Sequence, residues 1–353
     1  MGNRRTKVKV HNVSNISSVK VGVIGCGLIS NSFKLASKVV KNTQIVAAVD
    51  LNLDRAIKIA GRKHAYKDVE DFYENEDFEV AYIATPPYLH KPMIKQAFEQ
   101  GKHVLCEKPI TITVEDAREI YQLDKKFSDL KLGFNYMHRY DHKAYRLASA
   151  LQNNYLGETY YANCNIYFSR DATYFEKGPW RAKKQTAGGG TILSHGSHFL
   201  DIMLWALGEP VSVIGKIDNV KFKNVEVEDI GFGIIEFDNG IHAQVNNSMF
   251  VNPPFNMFKE RTEIQIFGKK GRCYYKAPWP FSSLKWKGVK KYKVKKDAKG
   301  FSHLGRSIKA FGNWVLHDKS YLNTVEESAK VLCLISALYE SSETGKKEQI
   351  EKL

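Results

Sequence analysis

Glu107-Lys108-Pro109 closes the apolar run His103-Val-Leu-Cys106, and a lysine at the carboxyl end of a buried parallel strand lies where open α/β sheets bind their ligands. Most strand-end lysines are solvated surface charges, so the patterns around this one decide its meaning. A partly buried ammonium has its pKa lowered by desolvation, and its charge stabilises an oxyanion. Gly25-Cys-Gly-Leu-Ile-Ser30 directly follows the apolar run 19–24 and opens a helical pattern, the context that turns a glycine pair into a dinucleotide fingerprint. Gly25 allows the tight turn and Gly27 lets the backbone approach a pyrophosphate. Leu28 and Ile29 begin the helix whose free N–H groups favour that anion. Ser30 departs from the pattern with a side chain small enough to keep helix–strand packing. Asp50, about 20 residues beyond the fingerprint, suits the ribose hydroxyls and repels a 2′-phosphate, which favours NAD over NADP. Capping the next helix is its other reading. Arg55 offers a cation to a 2′-phosphate, which keeps NADP open, and suits an exposed helix face equally well.

Thr85-Pro86-Pro87 and, three residues on, His90 leave the fourth predicted strand on the edge from which Glu107 and Lys108 emerge one unit later. Both loops therefore flank the nicotinamide position, and the set from Gly25 to Lys108 is the expected cofactor site.

The fingerprint, the Thr85-Pro-Pro-x-x-His90 turn and Glu107-Lys108-Pro109 together resemble the glucose-fructose oxidoreductase, inositol dehydrogenase and MocA family. The resemblance runs nearly end to end, through Leu156-Gly-Glu158, Trp180-Arg181, the glycines 188–190 and the segment 197–207. It implies nicotinamide-dependent oxidation of a secondary hydroxyl on a sugar, cyclitol or nucleotide-linked sugar, or the reverse reduction, with Lys108 catalytic and a cis bond before Pro109. In this family an aspartate commonly stands four residues before a histidine. Here His198 matches the histidine and is the implied general base, its other reading being a hydrogen-bonded core histidine. Ser194 occupies the aspartate position; it can bond a substrate hydroxyl but carries no charge, and His195 beside it is the candidate to compensate. Trp180 and Arg181 supply an aromatic face and a bidentate donor for a substrate, or a surface salt bridge. Asn135 and Arg139 are either substrate contacts or domain-interface hydrogen bonds. His195, His198 and Asp201 at i, i+3 and i+6 spread over nearly two helical turns, so no metal site is expected. Two other functions fit the same residues: a non-catalytic NAD- and sugar-binding regulator, and an enzyme that keeps NAD and uses transient oxidation for glycoside cleavage.

The elements that must position these residues fall into two grammars. Strand patterns at 19–25, 44–50, 65–66, 78–85, 102–106 and 131–135 alternate with helical patterns such as 54–62, 92–100 and 114–127. This predicts an α/β Rossmann domain with a doubly wound parallel sheet over 19–136. From residue 160 strands alternate by twos and are joined by hairpins. Asp238-Asn-Gly240 links 230–237 to 241–250, and Gly268-Lys-Lys-Gly271 links 263–267 to 272–276. The region 137–353 is therefore read as an α+β substrate domain with a mostly antiparallel, open-faced sheet. Helices 197–207 and 326–341 cover one face, the last packing back on the first domain, and the other face makes a homodimer or homotetramer.

The chain has 353 residues, 43% of them apolar, enough for two domains. Residues 1–18 form a polar basic extension without the apolar centre of a secretory signal, and no run is long enough to span a membrane, so a cytoplasmic protein is expected. Cys26, Cys106, Cys164, Cys273 and Cys333 lack metal-like spacing and read as reduced core residues. The net charge of +15 favours an anionic substrate. No nucleic-acid module accompanies the lysine-rich stretch 285–299, so no nucleic-acid partner is expected, and the alternation at 291–295 is read as a solvated strand face.

Overall fold

The computed structural model describes residues 18–251, 260–277, 282–294 and 302–353. Most of the extension 1–18 and the lysines from 295 to 299 lie outside these residues. The first sheet consists of β1 (Val19–Ile24), β2 (Thr43–Val49), β3 (Ala65–Tyr66), β4 (Val80–Ile83), β5 (His103–Cys106) and β6 (Leu132–Phe134). Every pairing is parallel and the order is β3-β2-β1-β4-β5-β6. Both faces are covered, which is why the central strands read as continuous apolar runs rather than alternations. Gly25, Asp50, Thr85, Glu107 and Asn135 all lie just beyond their strands on one carboxyl edge. β4 is shorter than its sequence pattern: Phe78 is buried ahead of it, and Ala84 and Thr85 already belong to the loop.

One face of this sheet is completed by a helix that the sequence reading did not assign. Helix His303–His317 is capped by Ser302, whose hydroxyl accepts from Gly305 N. Its Leu304, Ile308 and Phe311 enter one apolar cluster with Val19, Val21, Val23, Phe33, Tyr82 and Leu105. Residues from the far end of the chain thus build the core of the nucleotide-binding domain.

The second sheet has eight strands: β7 (Thr159–Phe168), β8 (Pro210–Asp218), β9 (Ile230–Phe237), β10 (His242–Ser248), β11 (Glu260–Gly268), β12 (Gly271–Ala277), β13 (Ser283–Lys287) and β14 (Glu348–Gln349). All its pairings are antiparallel except β10 with β7, which makes the sheet mixed. Helices Ser197–Leu207 and Val325–Thr344 pack on one face, and Val325–Thr344 also meets helix Val114–Lys126 and β6 of the first domain. On the open face Tyr161, Ile214, Phe232 and Ile234 are exposed. The lysine alternation is corrected in place. The strand is β13, whose Trp286 packs on Tyr155 and Tyr292, whereas residues 291–294 form no strand. All five cysteines are buried and free. Among the described residues no helix is long and apolar enough to cross a membrane.

Candidate functional site

The carboxyl edge of the first sheet faces the end of β7 and the chain from Arg170 to His198 across a cleft of about 1550 Å³. That exceeds the volume of an ordinary single-ligand pocket and accommodates a dinucleotide with a second reactant. At one end Gly25 has φ +86°, and a Cβ there would sit 2.9 Å from Ala84 and Thr85 backbone atoms. Gly27 differs, because a Cβ added to it would meet nothing within 4 Å and would project into open space. Gly27 also begins helix Leu28–Ser37, which has no side-chain cap and no acid in its first turn. Its free N–H groups and open approach fit a pyrophosphate. Ser30 is fully buried and donates to Gly25 O at 2.6 Å, so the hydroxyl that breaks the pattern ties the turn together. Asp50 accepts from Cys26 N at 2.7 Å and Asn52 N at 2.8 Å. The cap of the following helix is Asn52, not Asp50. Leu28, Ile29 and Arg55 line this end, joined by Lys58 and Lys67.

Thr85, Pro86, Pro87, Glu107 and Lys108 line the middle of the cleft, and His90 does not. His90 is corrected from a cofactor contact to a staple between the two loops. Its ring nitrogens lie 2.9 Å from Pro109 O and 3.1 Å from Thr85 O. Burial pushes its pKa down to about 4, so the neutral ring has one N–H to give and only one of these contacts is a hydrogen bond at a time. The Lys108–Pro109 bond is cis.

Lys108 Nζ donates to the main-chain carbonyl of Ser194 at 2.5 Å. That carbonyl belongs to a π-helical turn, Ile192–Gly196, and π-turns shift the ladder so that a carbonyl becomes available to another partner. Burial pushes the Lys108 ammonium down to about 8, Glu107 opposing the shift and Arg181 adding to it. Glu107 is itself held by Tyr82 Oη at 2.6 Å and Asn135 Nδ2 at 2.7 Å.

The Ser194 hydroxyl lies 2.6 Å from Gly190 O and 2.8 Å from His195 Nδ1. A carbonyl only accepts, so the hydroxyl donates to Gly190 and receives the Nδ1–H of His195. The other ring nitrogen then accepts from Arg170 Nε at 3.3 Å. His195 is therefore neutral with a fixed tautomer; burial, then Arg170, Lys108 and Arg181, keep its pKa well below the ordinary imidazole value. It does not replace the missing aspartate charge. His198 is partly exposed to the cleft, and its Nδ1 has no hydrogen-bond partner among the described residues. Burial, with Lys108, His138, His303 and His195, pushes its pKa well below the usual value, so it presents a neutral imidazole. His138 packs edge-on against it at 4.7 Å and stacks on His303 at 4.9 Å.

Two family models cover most of this framework. One, an oxidoreductase family with an NAD-binding Rossmann fold, matches residues 19–134, and the GFO/IDH/MocA C-terminal domain matches residues 145–274. The chain belongs to the Gfo/Idh/MocA family. It is 30% identical over 241 residues, 66% of each chain, to glucose-6-phosphate 3-dehydrogenase of Bacillus subtilis. It is 25% identical to D-glucoside 3-dehydrogenase of Escherichia coli over 95% of this chain and 98% of that one. The WlbA dehydrogenase of Bordetella pertussis, solved with NADH and UDP-GlcNAcA, shares the fold with a TM-score of 0.82 at 21% identity, covering 95% of this chain and 99% of that one. The protein is thus an NAD-binding oxidoreductase with the two-domain Gfo/Idh/MocA architecture.

Within that architecture two residues expected at the substrate lie elsewhere. Asn135 donates to Glu107 and accepts from Ser307 Oγ at 2.8 Å, away from the cleft lining. Arg139 is 2% exposed and grips Asp201 with Nε and Nη2, Glu327 with Nη1 at 2.9 Å, and Leu322 O at 3.0 Å. Both are consumed by buried structural hydrogen bonds, because the chain turns inward after β6 instead of lining the cleft. The same pairing takes Asp201 away from His195 and His198; among the described residues no three potential ligands gather around a metal position. Trp180 and Arg181 do line the cleft, the guanidinium 4.7 Å from the indole. Sequence reasoning missed His138, Arg170, Tyr174, Glu260 and His303, which also line it. They stand on strand ends, short turns and, for His303, the first residue of a helix, where no periodicity marks which side chain faces inward.

Proposed function

We propose that the protein oxidises a secondary hydroxyl of a sugar, cyclitol or nucleotide-linked sugar with NAD, or runs the reverse reduction. The observation that carries this reading is the half-buried Lys108 ammonium and the unpartnered His198 imidazole facing one cleft with the open dinucleotide cradle of Gly25 and Gly27. The sugar dehydrogenases among its relatives support the substrate class. NAD, when bound, supplies the hydride acceptor. Asp50 holds the ribose end, and the N–H groups at Leu28 and Ile29 hold the diphosphate. His198, neutral near physiological pH, takes the hydroxyl proton on Nε2, since its Nδ1 is buried. Lys108, charged below about 8, stabilises the oxygen as it becomes anionic. Incubating the protein with NAD and a panel of sugars and nucleotide sugars, and following NADH absorbance, tests the reading; sugar binding without NADH release would replace it with the regulator or the transient-oxidation enzyme.

Gly27→Ala separates cofactor binding from folding. The new methyl meets no protein atom, so the melting temperature should stay within a few degrees, while the dissociation constant for NADH rises roughly tenfold or more as the pyrophosphate loses its backbone approach. Unchanged NADH affinity in a fluorescence titration would show that the cofactor does not lie on this turn.

The open sheet face supports a homo-oligomer. Ile214 and Ile234 are register partners on it, with Phe232 alongside, a larger apolar patch than isolated surface residues make. Ile234→Asp should convert the assembly to monomers by light scattering; a monomeric wild type would end this reading. Five free buried thiols fit a reducing, cytoplasmic setting.

A further inference from the structure

The wall of the cleft opposite the dinucleotide cradle carries three cationic side chains. Arg170 follows β7, Arg181 sits in the short turn Pro179–Ala182, and Lys177 lies between them; all three line the cleft. None of the three makes an ion pair within 4.0 Å among the described residues. The ring of Tyr174 lies beneath both guanidiniums, 5.7 Å from Arg170 and 5.0 Å from Arg181. Arg170 spends Nε on His195 and Nη1 on Ser169 O at 3.2 Å, which leaves Nη2 without an acceptor among the described residues. Arg181 has aromatic neighbours on both sides and no hydrogen bond among the described residues.

The chain makes room for this arrangement. A Cβ on Gly178 would fall 1.8 Å from Arg181 Nη1, so the guanidinium rests on a backbone that only glycine leaves bare. Glu260 and Asp171 act on Arg170 through space, but neither forms an ion pair with it within 4.0 Å among the described residues, and one oxygen of the exposed Asp171 takes the N–H and hydroxyl of Thr173. Glu107 is engaged by Tyr82 and Asn135. Planar guanidiniums held by aromatic faces, with N–H groups still to satisfy, match the forked geometry of an oxyanion.

We propose that Arg170 and Arg181 form a subsite for an oxyanion carried by the substrate, so that the preferred sugar bears a phosphate monoester or a carboxylate and is not neutral. This rests on the oxidoreductase reading for the position of the sugar between the subsite and Lys108. Anion binding there neutralises the field that both arginines exert on His195 and that Arg181 exerts on Lys108.

Calorimetric titration of the NADH-saturated protein with glucose 6-phosphate, glucuronate and glucose tests it, with inorganic phosphate as a competitor. At least one acidic sugar should bind roughly tenfold to a hundredfold tighter than glucose, the range expected for charge-assisted hydrogen bonds, and phosphate should displace it. Which acid wins distinguishes a phosphate site from a carboxylate site. Arg181→Ala should erase most of the preference, and so should Gly178→Ala, which displaces the guanidinium without removing its charge; NADH affinity should be unchanged in both. Equal affinity for all three sugars, no measurable binding by any of them or by phosphate, or a preference that survives Arg170→Ala/Arg181→Ala would overturn the subsite. NADH formation on the same samples reads the oxidoreductase proposal separately: turnover without acid preference sinks only the subsite, and acid preference without turnover sinks only the catalytic reading.

Discussion

Replacing Lys108 with methionine should lower turnover about a hundred- to a thousandfold while leaving NADH affinity within a small factor. A preorganised cation at a developing oxyanion contributes on the order of a hundred- to a thousandfold. The side chain points at Ser194 O across the cleft and not into the glycine turn, so its loss removes charge from the reacting oxygen without opening the dinucleotide cradle. The same group sets a pH limb. Burial brings the ammonium to about 8, so the charged form dominates below that value and is lost above it. The oxidation rate at low substrate should therefore fall as pH rises through about 8, and the limb should be absent from whatever residual activity the methionine variant keeps. Turnover within tenfold of wild type, or a profile flat through that range, would remove Lys108 from the chemistry.

Arg139→Met should cost about 3–5 kcal/mol of folding stability, measured by denaturant unfolding with NADH absent. The reason is what remains behind. Asp201 is fully buried, and burial already pushes its carboxyl up to about 6 against the pull of the guanidinium. Burial opposes the charge on Arg139 too, but Asp201 and Glu327 outweigh it and hold the guanidinium charged. Without the arginine, an acid, the carbonyl of Leu322 and one oxygen of Glu327 all lose their donors together. The double variant Arg139→Met/Asp201→Leu should recover much of the loss, since an apolar pair leaves no buried charge. If the single variant lost less than about 1 kcal/mol, the pair would be ordinary surface electrostatics and the structural role assigned to it here would be wrong.

The sequence made the parallel sheet and the cofactor edge readable because each strand ends in a residue type that its position demands. Gly25 is needed for a positive φ, Asp50 for a carboxylate at a strand end, Glu107-Lys108-Pro109 for a fixed turn. The hairpins were readable from Asp238-Asn-Gly240 and Gly268 to Gly271 for similar reasons. Other features depend on tertiary context that no local pattern encodes. His90 and Arg139 are polar residues that look functional in one dimension and are consumed by buried backbone and carboxylate partners in three. Helix His303–His317 belongs to the first domain's core although it lies far along the chain. The parallel pairing of β10 with β7 joins strands that are distant in sequence, and periodicity does not specify partners. Arg170 and His195 meet only because the π-turn carries His195 toward the end of β7.

That π-turn has a consequence for how such a protein diversifies. Lys108 is addressed by a peptide carbonyl, and every amino acid brings the same carbonyl. Position 194 is thereby relieved of anchoring the lysine through its side chain, which is left to hold Gly190 and His195. A scaffold built this way separates a contact that no substitution removes from a side chain that tunes its neighbour, so exchanging Ser194 would change how His195 is held while Lys108 kept its carbonyl.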